Sequence, residues 1–169
     1  MENPSKLLYL VRHAKSSWSD PGLSDQARPL NSRGEQDAPL MGAWLAGQAF
    51  LPQHIVSSPA RRARSTAEII ATSLRFDPAG IAIDPDIYFN GLQRMFAAIQ
   101  RNDDDIDRLM MVGHNPVMTQ LFRELTGEPL DNMPTCAIAI IEFAAPSWGL
   151  IDTTPGHLLA FQTPKGLKS

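Results

Sequence analysis

A single cysteine among 169 residues, Cys136, rules out an internal disulfide. Its place in the apolar run CAIAIIEF reads as a small buried hydrophobe, and no chemistry is assigned to it. Long hydrophobic runs are missing as well. No stretch approaches the roughly 18 apolar residues of a membrane span, so no membrane partner is expected. The opening MENPSKLLYLV carries Pro and Lys ahead of an apolar stretch too short for a secretory signal, which makes the cytoplasm the expected compartment. No excess of one charge exists either. Fifteen Lys and Arg face 18 Asp and Glu, a formal charge of -3, so there is no general attraction to nucleic acid or anionic lipid and any basic site must be local. G-x-G-x-x-G and Walker A loops are absent, which excludes the usual dinucleotide and P-loop sites. No repeat or linker-like composition divides the chain. Residues 1–169 are therefore expected to form one domain, with a hydrophobic fraction of 43% sufficient for a core without disulfide or metal staples.

What is present is an alternation of elements. Apolar runs set against turn residues predict a strand over Lys6 to Val11, a long loop, and a helix from about Arg33 to Gln48 with Ser32 and Glu35 as a capping box. HIVSS is a short strand running into a helix from Pro59 to about Thr72. IAID is another strand, followed by the helix GLQRMFAAIQ. LMMVG reads as a buried strand, and NPVMTQLFRELTG as a helix with Asn115 at its N-cap, Pro116 at its first position and Gly127 as its stop. CAIAIIEF and HLLAFQT are strands. The pattern predicts a three-layer α/β/α sandwich with a mostly parallel central sheet. Ligands of such sheets bind outside the carboxyl ends of the strands. Three loops lead there: RHAKSSW, SSPARRARSTA and GHNP.

The arginines of SSPARRARSTAEII open a helix, where the macrodipole disfavours cations unless an anion is present. Helical spacing separates them. Arg61, Ser65, Glu68 and Thr72 form a wet stripe, and Arg64 is placed to pair with Glu68 four residues on. Arg62 shares its stripe with Thr66 and Ile69 beside the apolar Ala63, Ala67 and Ile70, so it is chosen for the rim; the plainer alternative is a basic surface bearing all three. In MMVGHNP, Gly113 allows close backbone approach, and the helix start at Asn115 and Pro116 favours an anion beneath His114. The plainer reading of His114 is a satisfied turn residue. Arg12 and His13 end the first strand. A guanidinium fork matches phosphate oxygens and a neutral imidazole is a nucleophile, so the pair fits phosphoryl chemistry; alternatively they are the first exposed residues past a buried strand. Lys15, Ser16 and Ser19 either line the phosphate or decorate the loop. His54 and His157 begin strands and are read as structural, and the acidic run NDDDID as a solvated turn at the far end of the sheet.

LVRHAK resembles the Arg-His-Gly signature of the histidine phosphatase superfamily, the phosphoglycerate mutase-like proteins, with Ala14 in the place of Gly. SSPARRARSTAEII is similar to its Ser-Pro-x-x-Arg-Ala-x-x-Thr-Ala element and VGHNP to its second-histidine element. HAKSSWSDPGLSDQARPLNSRGEQDA resembles the short SixA-type branch, the phosphohistidine phosphatases, through Asp25, Arg28 to Leu30, Arg33 and Gly34. The resemblance implies a pocket of Arg12, His13, Arg62 and His114 with His13 as nucleophile, and no metal or cofactor.

In the reaction so implied, His13 takes the phosphoryl group and water then removes it, with the other three supplying positive field. A neutral His13 calls for an acceptor, expected to be backbone, on its second ring nitrogen. The glutamate acid that the mutase branches carry after the third strand is missing from DIYFNG, where Phe89 and Asn90 stand, and the position after the second histidine is Asn115 instead of Asp. An alkoxide leaving group is strongly basic, with water at pKa ~15.7 as a guide. Imidazole, conjugate acid pKa ~6.5, depends far less on a proton donor. The missing acid thus favours phosphohistidine, unless Asp20, Asp25, Asp86 or His114 donates. Three functions follow: a phosphatase acting on a phosphorylated histidine-containing protein, a phosphatase acting on a small phosphomonoester, or a non-catalytic phosphate-binding module. An open, shallow pocket is expected.

Overall fold

The computed structural model describes residues 5–89 and 91–169. β1 (Lys6–Arg12) is buried on both faces, which is why its sequence reads as an unbroken apolar run. Its side chains alternate between two cores. Leu7, Tyr9 and Val11 join α1 (Ser32–Ala46) and α2 (Arg61–Ser73) through Met41, Leu45 and Ile70. Leu8 and Leu10 join α3 (Leu92–Gln100) and α4 (Val117–Thr126) through Met95, Ile99 and Leu121. Each Leu or Ile so buried contributes about 1.5–3 kcal/mol. The expected α/β/α layering is what the chain forms.

Six strands make the sheet, in the order β3 (Ala82–Ile83), β2 (His54–Ser57), β4 (Arg108–Gly113), β1, β5 (Ile138–Phe143) and β6 (Gly156–Gln162). β1 to β4 run parallel to one another, whereas β5 pairs antiparallel with β1 and β6 antiparallel with β5. A short α5 (Pro164–Lys168) returns to α1, where Lys168 Nζ donates to the buried Asp37 carboxylate at 2.6 Å.

Three local expectations are corrected. α1 is capped by Asn31, whose Oδ1 accepts the Gly34 N–H at 2.9 Å, so Ser32 and Glu35 form no capping box. Asn31 sits three residues before Gly34, and its amide oxygen reaches that donor first. α4 begins one residue later than its sequence suggests, with Pro116 at the N-cap. Met118 N–H goes to the His114 carbonyl and Thr119 N–H to Asn115 Oδ1, so the start of this helix is not an open anion cradle. Gly127 ends α4 in the left-handed conformation, as expected. On α2, Arg61 and Arg64 are exposed and Arg62 is buried, but Arg64 makes no ion pair with Glu68 within 4.0 Å among the described residues.

Candidate active site

β2, β4 and β1 lie side by side and run the same way, so their carboxyl ends open onto one rim. Across it, His13 N–H donates to the Gly113 carbonyl and Ser58 N–H to the Val112 carbonyl, both at 3.0 Å. The His13 and His114 rings consequently meet, with centroids 5.1 Å apart. Thr66 ties α2 to the same place: its hydroxyl accepts the Ala14 N–H at 2.9 Å and donates to the Arg62 carbonyl at 2.7 Å. Met133 closes the other side, its carbonyl accepting from Arg12 Nη1 at 2.7 Å and from Asn115 Nδ2 at 3.0 Å.

The two imidazoles differ in how they are held. His13 Nδ1 lies 2.7 Å from the Ala14 carbonyl, an acceptor only, so Nδ1 carries the hydrogen and Nε2 keeps its lone pair. Burial, followed by the charges of His114, Arg62 and Arg12, pushes the His13 pKa down to about 3. His114 Nε2 pairs with the Ser58 hydroxyl at 2.7 Å, and burial with the Arg62 guanidinium lowers its pKa to about 4. Both rings are neutral at pH 7. Among the described residues four buried side-chain polar atoms lack a hydrogen-bond partner, and three of them, Arg12 Nε, Arg62 Nε and His114 Nδ1, belong to this cluster. Buried donors left open in this way are costly unless a ligand takes them. Two guanidiniums and two neutral imidazoles beside one another suit an oxyanion with spread charge.

Asp25, from the turn Asp25–Ala27, anchors Arg62. Its backbone carbonyl accepts from Arg62 Nη1 at 2.7 Å, and its Oδ2 accepts from Arg62 Nη2 at 2.9 Å and from the Tyr88 hydroxyl at 2.7 Å. Those bonds, the Tyr88 one first, hold its pKa down to about 2. Tyr88 in turn sets its ring edge against His114 at 5.8 Å. Of the other acids considered from sequence, Asp20 is exposed and accepts the Gly22 N–H, while Asp86 is paired with Arg94 and Arg101. Asn90 lies outside the described residues.

Among the described residues Lys15, Ser16 and Ser19 make no side-chain hydrogen bond to the four-residue cluster. Lys15 is exposed, with its carbonyl taken by Asn31 N–H. The Ser16 hydroxyl accepts from Arg28 Nη1 at 3.0 Å, and Ser19 pairs with Ser17 at 2.8 Å on the surface. Sequence reasoning missed Ser58, Thr66 as a tie, Met133 and Tyr88. Only Ser58 and Thr66 had a signal, through their places in SSPARRARSTA; the Met133 contribution is a carbonyl, invisible in side-chain chemistry. Gly34 was named only by resemblance. A Cβ there would lie 2.2 Å from the Lys15 carbonyl, so the closeness of α1 to the loop after His13 demands glycine. No three His, Cys, Asp or Glu side chains among the described residues gather so as to hold a metal ion.

A family model of the histidine phosphatase superfamily, branch 1, matches residues 8–87, a segment that includes Arg12, His13 and Arg62. A chloroplastic protein of Arabidopsis thaliana is 32% identical over 154 residues, covering 85% of this chain and 69% of that one. The chain belongs to the histidine phosphatase superfamily. Within it, the phosphohistidine phosphatase SixA of Escherichia coli K12 is 26% identical over 137 residues, 79% of this chain and 83% of the relative. The solved structure of the protein histidine phosphatase SixA complexed with tungstate superposes with a TM-score of 0.80 at 24% identity, covering 95% of this chain and 99% of that one. The sandwich described above is thus the phosphoglycerate mutase-like fold of these phosphatases. No helix of the described residues is long and apolar enough to cross a membrane.

Proposed function

We propose that this histidine phosphatase removes the phosphoryl group from phosphohistidine of a protein through a covalent intermediate on His13. The observation that carries the reading is the meeting of a neutral His13, its Nε2 free, with Arg12 Nε, Arg62 Nε and His114 Nδ1 left unpaired. His13 Nε2 attacks phosphorus, and the P–N bond of the substrate breaks. The substrate imidazole, already protonated on its other nitrogen, leaves neutral. His13, still holding its Nδ1 hydrogen on the Ala14 carbonyl, becomes a phosphoimidazolium. Water then attacks phosphorus, the second P–N bond breaks, and dihydrogen phosphate departs with the oxygen and both protons of the water. The Arg12 and Arg62 guanidiniums neutralise charge on the transferring oxygens, and His114, with Nε2 on the Ser58 hydroxyl, offers its unpaired Nδ1 to them. Ser16 and Ser19 hold the loop after His13, through Arg28 and Ser17.

Substrate choice follows from proton supply. Asp25 is held at about 2 and is committed to Arg62 and Tyr88, so it is a poor donor at neutral pH. An imidazole leaving group needs no such donor; an alkoxide does. The name of the Escherichia coli relative agrees with this choice, and a cytoplasmic enzyme is the corresponding setting. Two measurements test the reading together. Incubation with a labelled phosphodonor yields an acid-labile, base-stable phosphoenzyme that His13→Ala abolishes. The kcat/KM for a phosphohistidine protein exceeds that for sugar phosphates. The reverse preference would overturn the substrate, and absence of the phosphoenzyme with activity intact in His13→Ala would overturn the mechanism.

A further inference from the structure

The exposed surface around the four-residue cluster is not that of a site built for a small solute alone. Trp18 keeps 74% of its surface exposed, yet it lies flat against the Arg28 guanidinium, 3.5 Å from carbon to ring centroid. Arg28 is itself fixed, donating to the Ser16 hydroxyl and to Asp25 Oδ1. Asp25 joins Arg62 and Tyr88, and the Tyr88 ring meets that of Phe89 edge-on at 5.5 Å. Phe89 is 49% exposed and is covered on one side by Arg94 at 5.0 Å. A continuous chain of contacts therefore runs from one exposed aromatic to another across the residues that hold Arg62. Beside it, a groove of about 550 Å³ has Ser24, Gln26 and Ala27 on one wall and Arg61 and Arg64 on the other. Those two cations make no ion pair within 4.0 Å among the described residues, although Glu68 also lines the groove.

We infer that Trp18, Phe89 and the Arg61–Arg64 groove form a docking surface for the protein that carries the phosphohistidine, on a face of that protein where acidic side chains flank an apolar patch. Large aromatics held rigid before contact, with arginines beside them, are the composition that concentrates energy in protein interfaces. Rigidity matters here because a platform already stacked on Arg28 loses little rotamer freedom on binding. Charge selects the partner: two unpaired guanidiniums on a chain of net charge -3 favour an acidic face locally and give no general attraction to anions. The inference rests on the proposed function.

The experiment compares two substrates: free phosphohistidine, and a small acidic protein domain phosphorylated on one exposed histidine. Trp18→Ala and the double variant Arg61→Glu/Arg64→Glu are expected to lower kcat/KM for the domain by about tenfold each, through KM, which corresponds to ~1.4 kcal/mol. Both are expected to leave free phosphohistidine within about twofold, since neither touches the cluster, and thermal melts check that folding is retained. Activity on the domain falls with added salt in the wild type more steeply than in the double variant. Equal losses on both substrates, or no loss on the domain, would overturn the docking surface while the proposed function stands. If the wild type instead prefers sugar phosphates to both phosphohistidine substrates, the function falls and the docking surface with it.

Discussion

β1 carries a buried cation at one end and a partly buried one at the other, and the two are treated differently. Lys6, 3% exposed, donates to the Asp104 and Ile106 carbonyls and to Asp107 Oδ1, with the Trp148 ring 5.7 Å away. All three ammonium donors are used. Arg12, six positions on at the other end of the strand, donates one bond to the Met133 carbonyl and leaves Nε unpaired, as Arg62 on α2 does. A fully satisfied buried charge holds a fold together; buried donors left open mark where a partner of opposite charge belongs. The acidic run 102–107 belongs to the first kind, because its backbone turn wraps the end of Lys6.

The largest effect that sharpens the contrast is at the open end. Arg62→Ala is expected to lower kcat/KM by about 10²–10³-fold, the size seen when one aimed donor is lost. Inorganic phosphate, expected to raise the melting temperature of the wild type, should then fail to do so; equal stabilisation of both would break the comparison. A smaller effect comes from pH. His13 and His114 have folded pKa values of about 3 and about 4, below the ordinary 6.5, so the unfolded chain binds more protons in between. Their stabilisation is complete above pH 6.5 and is lost as pH falls toward 4 and then 3, by up to ~1.4 kcal/mol per pH unit for each ring. Denaturant melts at pH 7 and 5 measure it, and a His13→Asn/His114→Asn variant with the same pH slope as the wild type would refute the assignment. Smallest is the closed end: Lys6→Met is expected to cost roughly 1–2 kcal/mol of stability, from unmet carbonyls, with kcat unchanged. A fall in kcat with the fold intact would mean that the two ends are coupled.

The sandwich and four convergent side chains were legible because their signals are periodic or local. β1 alternates between two cores, and the burial of Arg62 follows from its position beside Ala63 and Ile70 on α2. Cap positions were less legible, since Asn31 and Ser32 are both good caps and only the backbone path decides between them. What anchors the site was least legible. Asp25 reaches Arg62 across 37 positions and Met133 reaches Arg12 across 121, and long-range bonds of this sort leave no spacing rule in the chain. The ring-orienting acceptor was expected to be backbone, but nothing in RHAK distinguishes the Ala14 carbonyl from its neighbours.

That carbonyl has a consequence for turnover. Because it pins one hydrogen to the same nitrogen of His13 whether or not the opposite nitrogen bears phosphorus, the ring has no need to flip or exchange tautomers between cycles. Under the proposed mechanism, His13 would therefore need no tautomer exchange between one round and the next.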